Sequence, residues 1–251
     1  MREVLLQVRG LRKRFGGLQA VDGLDLDLHE GEILGLIGPN GAGKTVTFNM
    51  ISGVYAPDEG EIIFRGVRIN GLGPHRVAAM GIGRTFQIVK PFSELTVLEN
   101  VIAALGVRHY GSLGRVWERW DKDSYKAEAM EKLKRVGLEK LAWRKAGLLP
   151  LGNLRKLEIA RALCVTRSCL LLDESFSGLR KQEIEQIENL VREIRESGVA
   201  VLLIEHNMRV AMGLSDRLVV LEHGRKLCEG KPGEVSMDPR VIEAYLGEAE
   251  G

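Results

Sequence analysis

A glycine-rich segment, "GPNGAGKT" at residues 38–45, has the spacing of a phosphate-binding loop. Its glycines allow backbone N–H groups to turn toward phosphate oxygens, and a helix that follows would point its positive end at the same anion. Within this loop, Lys44 would reach the β- and γ-phosphates and Thr45 would give its hydroxyl to Mg²⁺. Because the full match follows an apolar run, it predicts a bound nucleotide rather than an ordinary glycine turn. The phosphate contacts are assigned to Gly38, Pro39, Asn40, Gly41, Ala42, Gly43, Lys44, Thr45 and Val46.

Two carboxylates end a second apolar run, "LLLDE" at residues 170–174. We expect Asp173 to orient the water shell of Mg²⁺ and Glu174 to accept a proton from the attacking water. A lone run of this kind often only ends a strand at the surface. Its presence beside a phosphate loop favours the catalytic role.

A third apolar run, "VLLIEH", ends at His206. By itself, a histidine at the end of a strand is more often structural than functional. This one follows the third predicted core strand, which favours a contact between the imidazole and the γ-phosphate that reports the loss of that phosphate.

The elements that must position these residues alternate between strand and helix patterns. Residues 33–37 are almost continuously apolar, which predicts a strand buried on both faces, and residues 44–51 fit the helix that follows the loop. Residues 24–28 alternate apolar with polar, as in a half-buried strand. The pattern predicts an α/β fold in which helices cover a parallel or mixed sheet. Residues 92 to about 150 carry little strand pattern, so we expect a mainly helical insertion there.

Composition limits the functions open to the chain. It has 251 residues and a formal net charge of +2, so its overall charge does not favour nucleic acid as a partner. No apolar run approaches the ~18 residues of a membrane-spanning helix, and the N-terminus lacks the apolar core of a signal peptide. We therefore expect a protein that stays in the cytosol. Cys164, Cys169 and Cys228 lack metal-ligand spacing, and no disulfide is expected.

The ordered motifs resemble those of the ATP-binding subunits of ABC transporters along essentially the whole chain. "GPNGAGKT" is similar to their Walker A loop, "LLLDE" to their Walker B strand, "RTFQ" to their Q-loop and "IEH" to their switch histidine. Phe15, in "RKRFGG", matches the aromatic residue that stacks on adenine. "LPLGNLRKLEIARAL" stands in the place of the signature motif, whose loop binds the ATP of a partner subunit. That loop corresponds to Leu149, Pro150, Leu151, Gly152 and Asn153.

The resemblance implies a P-loop NTPase core of mixed sheet and helices, with an antiparallel N-terminal β-subdomain and an inserted helical subdomain. We expect the core and the β-subdomain at residues 1–91 and 155–251, and the helical subdomain at about 92–154.

The resemblance also implies cofactors and partners. ATP and Mg²⁺ are expected, with Thr45, Gln87 and Asp173 at the metal and with Glu174, His206 and Gln87 in catalysis. A second cassette would pack head to tail and place its signature loop on the γ-phosphate. Membrane-spanning permease subunits would meet the helical subdomain, which Gln87 links to the metal site. The expected location is therefore peripheral, on the cytoplasmic face of the membrane.

Within the family, several stretches are most similar to the ATP-binding proteins of branched-chain amino acid uptake. They are "RTFQIVKPFSELTVLENV", "LEIARAL", "LLIEHNM" and the tail "VIEAYLGEA". We therefore expect a subunit that binds and hydrolyses ATP to energise a membrane importer of branched-chain or related amino acids.

Four positions depart from the family's pattern. Val46 replaces a second hydroxyl after the loop lysine, and a charge-assisted hydrogen bond of that kind is typically worth ~1.5–3 kcal/mol. Pro150 has neither a hydroxyl nor an N–H for the partner's ATP. Arg180 stands where the D-loop would end in Asp or Asn, and Ser175 replaces a proline. Because Pro150 and Arg180 act across the dimer interface, we expect a chain that serves its partner's site poorly. That expectation favours a heterodimer, with a homodimer as the alternative.

Other interpretations share part of this pattern. An ATPase of lipopolysaccharide export would share "YLGE", whereas "RTFQ" favours the importer. A regulatory nucleotide-binding module with weak turnover would explain the four departures, but Lys44, Asp173, Glu174 and His206 argue against it. ABC ATPases that act on nucleic acid usually have tandem cassettes or long coiled coils. A small-molecule kinase would share the phosphate loop but not the later motifs in this order.

Overall fold

Two sheets organise the protein, whose computed structural model describes residues 2–86, 90–106 and 123–246. Gln87, predicted at the metal, lies outside those ranges. An antiparallel sheet has the strand order β2-β1-β4-β5, and a six-stranded sheet has the order β10-β9-β3-β8-β7-β6. In the second sheet, β10 runs antiparallel to β9 and the other pairs are parallel, which confirms the predicted mixed sheet.

The strands are β1 (Val4–Phe15), β2 (Leu18–His29), β3 (Ile33–Ile37), β4 (Glu59–Phe64), β5 (Val67–Arg68), β6 (Ile82–Arg84), β7 (Cys169–Asp173), β8 (Ala200–Ile204), β9 (Arg217–Glu222) and β10 (Arg225–Gly230). The helices are α1 (Lys44–Ile51), α2 (Pro74–Ala79), α3 (Val97–Gly106), α4 (Asp123–Arg135), α5 (Leu151–Val165), α6 (Lys181–Glu196), α7 (Met208–Leu214), α8 (Pro232–Val235) and α9 (Pro239–Leu246). None of the helices in the described ranges has the length and apolar character of a membrane span.

Three central strands, β3, β7 and β8, are buried at every position, and apart from Asp173 at the end of β7 they carry no charged or polar side chain. They are buried because helices cover one face of the sheet and the antiparallel sheet covers the other. Neither face of these strands meets water, so apolar and polar residues do not alternate along them. All three are parallel, and their carboxyl ends therefore meet at one edge of the sheet. The phosphate loop follows β3, Asp173 ends β7 with Glu174 directly after it, and His206 lies just after β8. This edge is where open parallel sheets bind ligands.

The antiparallel sheet explains the alternating pattern near the N-terminus. Leu24, Leu26 and Leu28 on β2 are buried, as predicted, and they belong to the same apolar cluster as Leu34 and Leu36 on β3. That cluster also contains Phe48 of α1, so the helix after the phosphate loop is packed between the two sheets.

The region between β6 and β7 is helical where it is described. Helices α3, α4 and α5 pack on one another, and their apolar side chains continue into the cluster beneath β7 and β8. Helix α5 begins at Leu151 and runs without a break to Val165. The subdomain boundary predicted at residue 154 therefore falls inside a helix, and the division of the chain into subdomains stays a prediction.

Candidate functional site

The phosphate loop joins β3 to α1 through a backbone that requires glycine. Gly43 precedes the helix with φ of 98°, and a Cβ there would overlap the carbonyl oxygen of Ala20. The Lys44 ammonium is buried and donates to the carbonyl oxygens of Gly38, at 2.6 Å, and Pro39, at 2.8 Å. The Lys44 ammonium therefore lies within the loop that is predicted to bind phosphate oxygens.

The first turn of α1 presents one hydroxyl to the site. Thr45 is exposed, whereas Val46 is half-buried against the apolar cluster between the sheets. Thr47 donates its hydroxyl to the carbonyl oxygen of Gly43 at 3.0 Å, so this side chain does not compensate for Val46. The apolar contacts of Val46 give a packing reason for the departure at this position.

Asp173, at the end of β7, forms a buried ion pair that the sequence analysis did not predict. Its Oδ2 accepts a hydrogen bond from Arg84 Nη2 at 2.9 Å, and both side chains are less than a tenth exposed. Burial raises the pKa of the Asp173 carboxyl above its usual value, and the Arg84 guanidinium opposes that rise. Arg84 belongs to the same "RTFQ" stretch that singled out Gln87. Its contact with Asp173 depends on the pairing of β6 with β7, which no local sequence pattern specifies.

Glu174 and His206 meet directly. His206 Nε2 lies 2.7 Å from Glu174 Oε1, and the Glu174 N–H donates to the carbonyl oxygen of Ile204 at 3.0 Å. Glu174 has φ of 49°, in the left-handed region that non-glycine residues seldom adopt and that is enriched at active sites. The carboxylate is largely buried while the imidazole is partly exposed. The arrangement orients a carboxylate that can take a proton from water.

Ser175, which replaces a proline in the family's pattern, has its own partner. Its hydroxyl lies 3.0 Å from the Thr85 hydroxyl, and both residues are fully buried. Thr85 Oγ1 also accepts the Asp173 N–H at 3.1 Å. The Ser175 hydroxyl therefore extends a polar chain that fixes the end of β7, which accounts for a polar residue here.

Glu205 is a second buried carboxyl near the site, and it was not predicted from the sequence. It accepts the Phe176 N–H at 3.1 Å, so it joins the segment after β8 to the segment after Glu174. Burial raises the pKa of Glu205 to about 7. Its position next to His206 in "LLIEH" was the available signal, but nothing in the sequence distinguishes a buried glutamate from an exposed one.

The predicted signature loop leads into α5. Pro150 is the residue before the helix, and its carbonyl oxygen accepts the N–H groups of Asn153 and Leu154, both at 3.0 Å. No side chain caps this helix terminus. Gly152 is buried, and a Cβ there would overlap Glu183 Oε1. Leu149, at the end of the preceding turn, is buried, and Leu151 is exposed.

Glu183 connects the signature loop to the segment that ends at Arg180. Its Oε2 accepts the Arg180 N–H at 2.9 Å, while its Oε1 lies against Gly152. Arg180 itself is exposed at the start of α6. The two positions predicted to act across a dimer interface, Pro150 and Arg180, are thus neighbours in one surface region.

Helix α5 also holds the backbone next to Gln87. Glu158 Oε1 accepts the Phe86 N–H at 2.7 Å, and Arg155 donates to the Phe86 carbonyl oxygen at 3.1 Å. Both side chains are buried, and burial raises the pKa of Glu158. Neither residue was predicted from the sequence. Their contacts place Phe86, just after β6, against the helix that follows the signature loop.

Phe15, predicted to stack on adenine, lies at the end of β1. Its ring is 39% exposed and contacts Tyr55 edge-to-face, with 5.3 Å between ring centroids. Lys13 Nζ lies 5.6 Å from the Phe15 centroid. An exposed aromatic face of this kind suits the stacking of a base. Tyr55, which supports the ring, was missed because it lies 40 positions away along the chain.

Comparison with known proteins decides the family. The family model described as ABC transporter matches residues 21–177, which is more than half of the chain. The chain belongs to the ABC transporter family. A second model, described as branched-chain amino acid ATP-binding cassette transporter, matches residues 225–251 of this ABC cassette.

Curated relatives and solved structures agree with that assignment. The cassette is 41% identical over 255 residues to the high-affinity branched-chain amino acid transport ATP-binding protein LivG of Escherichia coli strain K12, covering 99% of this chain and 100% of that protein. It is 42% identical to BraF of Pseudomonas aeruginosa, with the same coverage. A crystal structure of the ADP conformation of an ATP-binding cassette is 31% identical, with a TM-score of 0.88 over 97% of this chain and 99% of that one. The predicted family, fold class and ATPase activity are therefore confirmed.

The side chains of this cassette suit a nucleotide with Mg²⁺. Asp173 Oδ1 is buried and has no hydrogen-bond partner among the residues that the structure describes, while Thr45 is exposed. Within the described ranges, no group of three or more His, Cys, Asp or Glu side chains is placed so that it could hold a metal ion. Mg²⁺ usually binds through one or two protein oxygens, substrate phosphates and water, so a single free carboxylate oxygen beside a phosphate loop is sufficient.

Proposed function

We propose that this chain is the ATP-hydrolysing subunit of a membrane importer for branched-chain amino acids. The observation that carries the proposal is the 41% identity to LivG, which extends over 99% of the chain. The match to the branched-chain amino acid cassette model at residues 225–251 supports the same substrate class. The proposal assigns the chain a peripheral place on the cytoplasmic face of the membrane.

The site residues would act on ATP as follows. Lys44 would move from the loop carbonyls to the β- and γ-phosphates, and Phe15 would stack on adenine. Thr45 and Asp173 would hold Mg²⁺, which neutralises charge on the phosphates when it is bound. Glu174 would take a proton from the water that attacks the γ-phosphorus, and His206 would hold the Glu174 carboxylate toward that water.

A lipopolysaccharide exporter is the second candidate, because the chain is 34% identical to the export ATP-binding protein LptB of Acidithiobacillus ferridurans. The identity to the two branched-chain amino acid transport proteins is higher, at 41% and 42%. The importer is therefore the better supported function. Uptake by whole cells distinguishes the two candidates.

The test replaces the chain in its own cell by Glu174→Gln and measures uptake of labelled leucine, isoleucine and valine. We expect uptake to be lost, while Glu196→Gln, an exposed glutamate at the end of α6, leaves it unchanged. Unchanged uptake in Glu174→Gln cells, together with a loss of lipopolysaccharide from the cell surface, would favour the exporter.

Two kinds of partner follow from the proposal. Permease subunits would contact the region between β6 and β7, where Phe86, Phe92 and Trp143 are exposed and Trp143 is 71% accessible. A second cassette would complete the ATP site. One solved relative, 27% identical with a TM-score of 0.78 over 91% of this chain, is a dimeric cassette in a post-hydrolysis state bound to ADP and Pi.

The heterodimer hypothesis rests on Pro150 and Arg180, which lie close together at the surface. We expect the site formed by this chain's phosphate loop to hydrolyse ATP faster than the site that uses this chain's signature loop. In the assembled transporter, Glu174→Gln should therefore remove most of the activity. The matching glutamate variant of the partner cassette should remove less. Equal losses would contradict the asymmetry.

A further inference from the structure

Arg84 forms hydrogen bonds with two structural elements that both border the phosphate site. At the end of β6, its Nη1 donates to Asn49 Oδ1 at 2.8 Å and to Ser52 Oγ at 2.6 Å, both on or just after α1. Its Nη2 donates to Asp173 Oδ2 at 2.9 Å. The guanidinium thus fixes the distance between the helix that follows the phosphate loop and the carboxylate at the end of β7.

The surroundings of Arg84 keep its guanidinium in one orientation. The side chain is 9% exposed, and the guanidinium carbon lies 5.8 Å from the centroid of Phe48 and 5.4 Å from that of Phe86. At these distances a guanidinium and an aromatic ring attract each other. The planar guanidinium also loses little conformational freedom when it donates to several acceptors. A lysine would offer a single point charge and would not span both sets of acceptors.

The Asp173 carboxylate is only half satisfied by this contact. Oδ2 is bound to Arg84, whereas Oδ1 is buried with no hydrogen-bond partner in the described part of the chain. A buried carboxylate oxygen without a partner is unfavourable, and such atoms call for a specific explanation. An ion pair that only stabilised the fold would not offset the free-energy cost of burying Asp173 Oδ1 without a hydrogen-bond partner.

We propose that Arg84 is the positioning residue of the metal site, holding Asp173 by Oδ2 so that Oδ1 is directed at the water shell of Mg²⁺. This inference rests on the proposed function, because it requires Mg²⁺ on a nucleotide bound at the phosphate loop. It assigns a role to a residue of this chain that neither the motifs nor the comparisons supply. Replacing a residue that hydrogen-bonds to a metal ligand and orients it typically weakens metal affinity by 10- to 100-fold.

The test measures binding of a fluorescent ATP analogue to the purified full-length chain, with Mg²⁺ titrated in and with EDTA. In Arg84→Gln, we expect the Mg²⁺ concentration for half-maximal effect to rise at least tenfold, with the affinity in EDTA unchanged. Arg84→Lys keeps the buried charge but lacks the planar guanidinium, so we expect the Mg²⁺ concentration for half-maximal effect to rise in this variant as well. Arg76→Gln, an exposed arginine on α2, is the control and should behave as the wild type.

Three results would overturn the assignment. Equal weakening with Mg²⁺ and with EDTA would mean that Arg84 only supports the fold around the nucleotide. A wild-type Mg²⁺ response in Arg84→Lys, beside a loss in Arg84→Gln, would mean that charge neutralisation is sufficient. Additive effects of Arg84→Gln and Asp173→Asn would mean that the two residues act independently. Because all of these readouts use nucleotide binding, loss of hydrolysis through a failure of the proposed function would not affect them.

Discussion

His206 Nε2 lies 2.7 Å from Glu174 Oε1, across the carboxyl ends of two neighbouring parallel strands. The register of β7 and β8 opposes Asp173 to Ile204, so the residues that follow each strand emerge side by side. The predicted general base and the predicted switch histidine therefore form one hydrogen-bonded pair. Changes at either residue should alter the orientation of the other.

This pair predicts a selective loss of hydrolysis when His206 is replaced. In His206→Ala, the Glu174 carboxylate loses the partner that orients it, and we expect turnover to fall on the order of 10²-fold. Binding of Mg-ATP should change little, because Lys44 and Thr45 are intact. Phosphate release and equilibrium nucleotide binding, measured on the same preparation, check both statements. Preserved turnover would show that the contact has no catalytic role.

Val46→Thr should strengthen nucleotide binding. Threonine replaces one methyl group of valine by a hydroxyl, so the remaining methyl group can keep part of the packing on the apolar cluster while the hydroxyl reaches the site. A hydrogen bond to a charged phosphate is worth roughly 1.5–3 kcal/mol, which is about 10- to 100-fold in Kd. Fluorescence titration with Mg-ATP measures the change, and Val46→Ala serves as the control without a hydroxyl. An unchanged Kd would mean that residue 46 does not face phosphate.

Pro150→Ser should improve both the helix and the partner's ATP site. Serine is a favoured residue before a helix, and replacing a residue that cannot cap typically gains about 0.5–2 kcal/mol. The same hydroxyl would face the partner's ATP in a dimer. We expect a higher thermal midpoint and faster hydrolysis, and Pro150→Ala should give neither. A gain in stability without a gain in turnover would remove Pro150 from the explanation of asymmetry.

Glu205 should make stability depend on pH. Burial raises the pKa of Glu205 from the ordinary 4.5 to about 7, so the folded protein binds more protons than the unfolded chain between those values. The stabilising contribution is complete below pH 4.5 and is lost as the pH rises through about 7. Its size is roughly 3 kcal/mol at 1.36 kcal/mol for each pH unit.

Glu205→Gln isolates this effect, because the amide oxygen can still accept the Phe176 N–H without a titration. Denaturant unfolding between pH 5 and pH 8 gives the free energy of unfolding of both proteins. We expect the variant to gain stability relative to the wild type as the pH rises. A constant difference over this range would contradict the raised pKa.

The local features of the site could be predicted from the sequence. The apolar run at residues 33–37, the loop and the helix Lys44–Ile51 are contiguous, so periodicity and glycine spacing were sufficient to locate them. The same holds for the carboxylates that end β7 and for His206 after β8. Each of these depends on one short segment and on the burial pattern within it.

The contacts between segments could not be predicted in the same way. Arg84 and Asp173 are 89 positions apart and meet only because β6 pairs with β7, which no local pattern specifies. Helix α5 begins at Leu151, directly after Pro150, whereas the predicted subdomain boundary lies at about residue 154, inside that helix. The sequence identified the chemical groups, and the pairing of strands decided which of them touch.

The most direct test of the central claim is steady-state phosphate release from Mg-ATP by the purified chain, with its partner cassette present. Wild type, Glu174→Gln and the exposed control Glu196→Gln are compared at a saturating Mg-ATP concentration. We expect turnover in the wild type and the control, and a fall of at least about 10²-fold in Glu174→Gln with Mg-ATP still bound. Equal turnover in all three proteins, or a wild type that binds Mg-ATP beside its partner and releases no phosphate, would contradict it.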